Sequence, residues 1–128
     1  MRIVIETIPH KQQRYDTCGD WTVDGDTVTI YVSEMGDWRK EMAVAYHELR
    51  EYLLCKHLGI SQESVDSFDI EYEKNRKEGD TSEPGDDPKA PYYLPHQYAT
   101  HDERNLIADL GVNWDEYNTL IQSLSWND

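Results

Sequence analysis

At 128 residues, of which 38% are hydrophobic in type and 30% charged, the chain has material for one core and a polar excursion rather than two domains. Its formal net charge of -14 repels phosphate backbones and anionic lipid, which argues against direct nucleic-acid binding and against a membrane partner. No apolar run approaches the ~18 residues of a membrane span. The opening MRIVIETIPHK is too short in its apolar part for a signal peptide, and Cys18 and Cys55 form no disulfide framework. The expectation is one domain over residues 1–128 in a reducing, cytoplasmic setting.

In chain order, Arg2 to Ile8 carries Ile3, Val4, Ile5 and Ile8 and reads as a first strand closed by Pro9. After the polar stretch from His10 to Asp16 comes a hairpin. Trp21 and Val23 share one face of its first arm, and Asp24-Gly25 offers the positive φ angles of a tight turn. The second arm alternates strictly, with Val28, Ile30 and Val32 on one side and Thr27, Thr29 and Tyr31 on the other. Trp38 to Leu58 then reads as a long central helix, capped by Asp37 and stopped at Gly59, and apolar nearly all the way round except for His47, Glu48 and Glu51.

A second helix is expected from near Ser61 to about Arg76, with Val65, Phe68 and Tyr72 as its packing side and Asp66, Asp69 and Glu73 as a solvated face. Residues 77–91 (KEGDTSEPGDDPKAP) read as a flexible, acidic, irregular loop, because Gly and Pro recur through them. A loop of that length within one domain is either functional or disordered. Pro95 suits the first turn of a third helix that ends at Gly111 and places His96, Ala99, Thr100, Glu103, Ile107 and Leu110 on one face. His101 points away from that face, and His57 is also expected at the surface. Asn113 and Glu116 form a capping-box signature for a last helix, with Tyr117 on its buried side. The fold class is therefore α+β: a small antiparallel sheet with a hairpin, packed on the central helix, and about three further helices.

Buried ionisable groups are costly unless they pair or bind a metal. His47 and Glu51 lie four residues apart and project from one face, while Glu48 is displaced by about a quarter turn. The stretch is H-E-x-x-E. It matches H-E-x-x-H metallopeptidase helices at the first ligand and at the general base, and it places a carboxylate at the second ligand. Together with the preceding hairpin, residues Thr22 to Leu58 resemble the minimal core of the zincin-like metallopeptidases. The resemblance implies a Zn²⁺-dependent hydrolase acting on a protein or peptide. His47 and Glu51 would be ligands, Glu48 the base, and the third helix would supply the third ligand, for which His96 is the first candidate and Glu103 the second.

Two other readings use the acids. Glu48-x-x-Glu51 followed by Asp66-x-x-Asp69 is similar to the carboxylate pattern of all-α nucleotide pyrophosphohydrolases, which implies Mg²⁺ and a nucleotide. The segment 63–87 carries ten acids against Lys74, Arg76 and Lys77, half the net charge, and would suit docking of a basic partner as a nucleic-acid mimic does. The bland alternative makes His47 a hydrogen-bonded core histidine, with Arg50 and Glu51 in a salt-bridge network. Over nearly its whole length, from IPHKQQRYDTCGDW through HELREYLLCKHLGI and EPGDDPKAPYY to GVNWDEY, the chain resembles small uncharacterised proteins of phages and prophages. That implies an accessory protein in an infected or lysogenic bacterial host.

Overall fold

The computed structural model describes residues 1–126. It is an α+β fold in which β1 (Arg2–Ile8), β2 (Gly19–Asp24) and β3 (Thr27–Ser33) precede α1 (Trp38–Leu58), α2 (Gln62–Lys74), α3 (Tyr93–Asp109) and α4 (Trp114–Ser123). The strand order is β1-β3-β2. The alternating arm works as its pattern requires: Val28, Ile30 and Val32 are buried and meet Ala43, Val44, Tyr52 and Cys55 of α1 in the core. Burying each such aliphatic side chain contributes about 1.5–3 kcal/mol, so β3 and α1 form the platform on which the rest is placed.

The sheet is mixed, not antiparallel throughout. β2 and β3 are antiparallel, but β1 pairs with β3 in parallel, Arg2 beside Thr27 through Ile8 beside Ser33. Two chain reversals leave the first and third strands running the same way, and placing β3 in the middle makes those two neighbours. The reversal after β1 is fastened over the end of β3. His10 Nδ1 lies 2.8 Å from Ser33 Oγ, and Gln13 Nε2 donates to Cys18 O and Tyr31 O. The hairpin turn is shifted by one residue from the expected position. Gly25 and Asp26 form the loop and only Gly25 has positive φ, at 58°, which matches a type II′ rather than a type I′ turn.

Helix α1 begins and ends where its caps predict. Asp37 accepts from Arg39 N, and Gly59 takes the left-handed conformation at φ 73°. It is not enclosed on all sides, however: Trp38, Tyr46 and Leu53 are exposed on one side, and Leu58 is exposed at its last residue. Helix α2 also departs from its predicted faces. Asp69 is buried while Ile70 is exposed, because Tyr15 and Tyr92 reach in to bond the Asp69 carboxyl. The inward face of α3 is as expected, with His96, Ala99, Glu103 and Ile107 buried and His101 outside. Among the described residues, no helix is long and apolar enough to cross a membrane.

Candidate metal centre

Helices α1 and α3 pack along one another, and a cleft of about 1190 Å³ opens beside them. Its floor holds His47 and Glu51 from α1 and His96 from α3, all three buried. The ligand-type atoms converge on one carboxylate oxygen: Glu51 Oε2 lies 3.2 Å from His47 Nε2 and 3.1 Å from His96 Nδ1. Ligands placed 2.0–2.2 Å from a tetrahedral metal stand about 3.3–3.5 Å from one another. Both distances to Glu51 Oε2 lie a few tenths of an ångström below that spacing, and all three atoms are within 4.8 Å of one another.

Each of these side chains is held from behind. His47 Nδ1 lies 2.8 Å from Glu103 Oε1, and the other Glu103 oxygen accepts from the Tyr117 hydroxyl. Glu51 Oε1 accepts from Trp21 Nε1 at 3.3 Å. His96 Nε2 faces Glu83 at 3.0 Å and Asp86 at 3.3 Å. Carboxylates on the far ring nitrogens fix the tautomer that leaves the near nitrogen available to a metal. The donor set thus suits zinc: two imidazoles and a carboxylate, with partners behind every ligand and a cleft in front.

The electrostatics follow from this geometry. Burial opposes charge on His47, but its bonds to Glu103 and Glu51 outweigh it and hold the pKa well above the ordinary imidazole value. For His96 burial is again outweighed, here by Asp86, Glu51 and Glu83, and the pKa rises to about 12. Burial would raise Glu51, yet its bonds to His47 and His96 bring it down to about 2. Metal-free, the cluster is an ion-pair network of two imidazoliums among four carboxylates. The imidazolium contribution to stability is complete below pH ~6.5 and is lost as pH rises through the raised values. The Glu51 contribution is complete above pH ~4.5 and is lost as pH falls through about 2.

Glu48 is half-buried, lines the same cleft and has no hydrogen-bond partner among the described residues. Burial, reinforced by the charge of Glu51, pushes its pKa well above the usual carboxyl range. Gly19 on β2 makes room for it, since a Cβ there would stand 2.8 Å from Glu48 Oε1.

The loop between α2 and α3 takes part in the site. Its 3-10 turn at Pro84–Asp86 packs on α3, and Gly85 is buried against the His96 ring. A Cβ at Gly85 would overlap His96 Cγ and stand 2.5 Å from its Nδ1. Gly85→Ala is therefore expected to displace the ring and weaken metal binding by about 10- to 100-fold, with the core intact. Titration of the variant with Zn²⁺, alongside its circular dichroism, checks both halves of that statement.

Of the residues singled out in the sequence, His47, Glu51, His96 and Glu48 come together. Glu103 sits on the far nitrogen of His47, in the role of an orienting partner. Asp66 and Asp69 do not join Glu48 and Glu51 in a ligand cluster among the described residues. Asp66 is held bidentate by Arg14, which also binds Asp20, and Asp69 is held by two tyrosines. These acids and Glu73, paired with Arg76, are engaged by partners rather than forming a solvated face.

Burial, countered by the two tyrosine bonds, raises Asp69 to about 7. A carboxyl raised in the folded state keeps its proton more tightly than the unfolded chain does. Asp69 therefore favours folding most at low pH, and this contribution is lost as pH rises from about 4 through about 7, by at most ~1.4 kcal/mol per pH unit. Asp69→Asn is expected to flatten the pH dependence of unfolding free energy in that window, as denaturant titrations from pH 4 to 8 would read. Sequence pattern placed Tyr117 inside without a role at the site and missed Glu83, Asp86 and Gly85; the signal for those three was the coincidence of a long Gly/Pro loop with the helix that carries His96. No protein-family model, curated protein or solved structure matches this chain at a significant level.

Proposed function

We propose that the cleft is the active site of a zincin-like, zinc-dependent hydrolase acting on peptide bonds. The observation that carries this reading is the convergence of His47, Glu51 and His96 on one point of the cleft floor, with a carboxylate behind each imidazole. A bound Zn²⁺ would supply a Lewis acid for the scissile carbonyl and acidify a water molecule to about neutral pKa. The protein's own part is to orient His47 through Glu103 and His96 through Glu83 and Asp86, and to present Glu48 as the proton acceptor. A carboxyl held above its usual range by burial suits that task, because it can take a proton from water and then deliver it to the leaving amine.

The cleft walls carry Asp20, Glu73 and Asp80 beside Tyr15 and Tyr92. The test is hydrolysis of a mixed fluorogenic peptide library by the zinc-loaded protein, before and after chelation. Support would be cleavage that chelation abolishes and stoichiometric Zn²⁺ restores. If the loaded protein cleaves no peptide, the reading falls back to a metal or ion-pair centre that holds α1 and α3 together.

A further inference from the structure

We infer that the chain pairs with a second copy of itself through the free edge of β1, making one continuous six-stranded sheet across a two-fold axis. The strand order leaves both β1 and β2 at edges, but they are treated differently. At β2 the Val23 amide donates to Gln62 Oε1, at the start of helix α2, at 2.8 Å. The outer edge of β1 pairs with no further strand among the described residues. The seven-residue strand contains no Pro, and its Ile5 meets α1 and α3 at a groove of about 510 Å³ lined by Met42, Tyr46, Leu49 and Leu106 and edged by Asp102, Asn105 and Asp109. Long edges without a bulge, a proline or a cover are what natural sheets avoid unless another strand is to be added.

The register of the ladder says which groups are free. Arg2 N–H donates to Asp26 O, and Ile8 O accepts from Glu34 N–H, so the even-numbered residues turn their amide groups towards β3. Ile3, Ile5 and Thr7 turn theirs outward. The side chains of Ile3 and Ile5 are 42% and 43% exposed on the face that carries Val28 and Ile30.

The sequence of the strand identifies the occupant. In Arg2-Ile3-Val4-Ile5-Glu6 the charges are opposite and placed symmetrically about Val4. An antiparallel two-fold pairing centred on Val4 sets Arg2 against Glu6 of the second copy at both ends and Ile3 against Ile5 twice, and it brings outward amides opposite outward amides. Centring on Ile5 instead sets Arg2 against Ile8 and Val4 against Glu6. Centring on Ile3 leaves Glu6 without Arg2. One register satisfies charge, apolar contact and hydrogen bonding together, and it is self-complementary, as an isologous interface must be. The two-fold axis keeps both α1 helices on the same face of the extended sheet, beside the exposed Tyr46 stripe. Of the acids of 63–87, Asp66 and Asp69 are engaged by Arg14 and Tyr15, while Asp102 and Asp109 stand at the groove beside β1.

Sedimentation equilibrium of the full chain tests the pairing. Expected is a species of twice the 15.0 kDa chain mass. Glu6→Arg and Arg2→Glu, each setting like charges opposite one another, are expected to weaken association about tenfold or more. The double variant Arg2→Glu/Glu6→Arg restores the pairs with their ends exchanged and is expected to recover most of the loss, which no folding defect would do. Ile5→Lys should give a monomer with an unchanged circular dichroism spectrum. A wild-type chain that stays monomeric at its solubility limit overturns the inference. So does a dimer that Glu6→Arg leaves unchanged, or a double variant no tighter than the single ones.

Discussion

Loading metal-free protein with Zn²⁺ is expected to raise its melting temperature by about 12 °C at a thousandfold excess over the dissociation constant, where linkage contributes ~4 kcal/mol. The ligands are already gathered: His47 Nε2 and His96 Nδ1 lie within hydrogen-bonding distance of Glu51 Oε2, and all three side chains are fixed from behind. Binding must also expel protons. His47 and His96 are held as imidazoliums by their carboxylates, and each must lose its proton from the nitrogen that faces Glu51. About two protons should therefore leave per ion at pH 7, and log affinity should climb with pH by about two per unit until the imidazoles are neutral. Calorimetry in buffers of different ionisation enthalpy reads that number. His96→Gln should abolish the thermal shift while keeping a side chain that can bond Glu83. A melting temperature indifferent to zinc would reduce the cluster to an ion-pair network.

Replacing Glu48 by Gln is expected to lower kcat for peptide hydrolysis by about 10²- to 10⁴-fold, the usual contribution of a positioned general base. Zinc content should not change. Glu48 is not one of the three convergent ligands, and it has no hydrogen-bond partner among the described residues whose loss would disturb the fold. The amide keeps the shape that fits against Gly19 but cannot take a proton. A fall in kcat with KM nearly constant identifies the base. A variant that instead loses metal would make Glu48 a ligand. Full activity would remove it from the reaction.

The parts of this fold that were legible in the sequence are those set by local chemistry. Asp37 and Gly59 bracket α1, the alternation of Val28, Ile30 and Val32 marks the buried face of β3, and the i, i+3, i+7 stripe of α3 places His96, Ala99 and Glu103 inward. Because both helices present their polar residues to the same interior, the meeting of His47, Glu51 and His96 follows from two helical periods and one packing contact.

What escaped is non-local. The parallel pairing of β1 depends on strand order, which no alternation reveals. Asp69 reads as a surface acid until Tyr15 and Tyr92, 54 and 23 residues away, close on it. A Gly- and Pro-rich loop signals irregular backbone but not the target on which it lands. In this chain that target is the His96 ring, and Glu83 and Asp86 are the side chains it delivers. Glu103 was visible as an inward acid. Its place behind His47, rather than beside it, depended on Tyr117 arriving from α4. The all-round apolar character of α1 misled in the opposite direction, since Trp38, Tyr46 and Leu58 remain at the surface.

Elemental analysis of untagged protein, set against protein concentration, tests the metal centre most directly. The arrangement of His47, Glu51 and His96 predicts one zinc per chain in the wild type, one in Glu48→Gln, and none in a folded His47→Gln variant. Metal-free wild-type protein that also takes up no zinc on dialysis, or a His47→Gln variant that keeps its zinc, would contradict it.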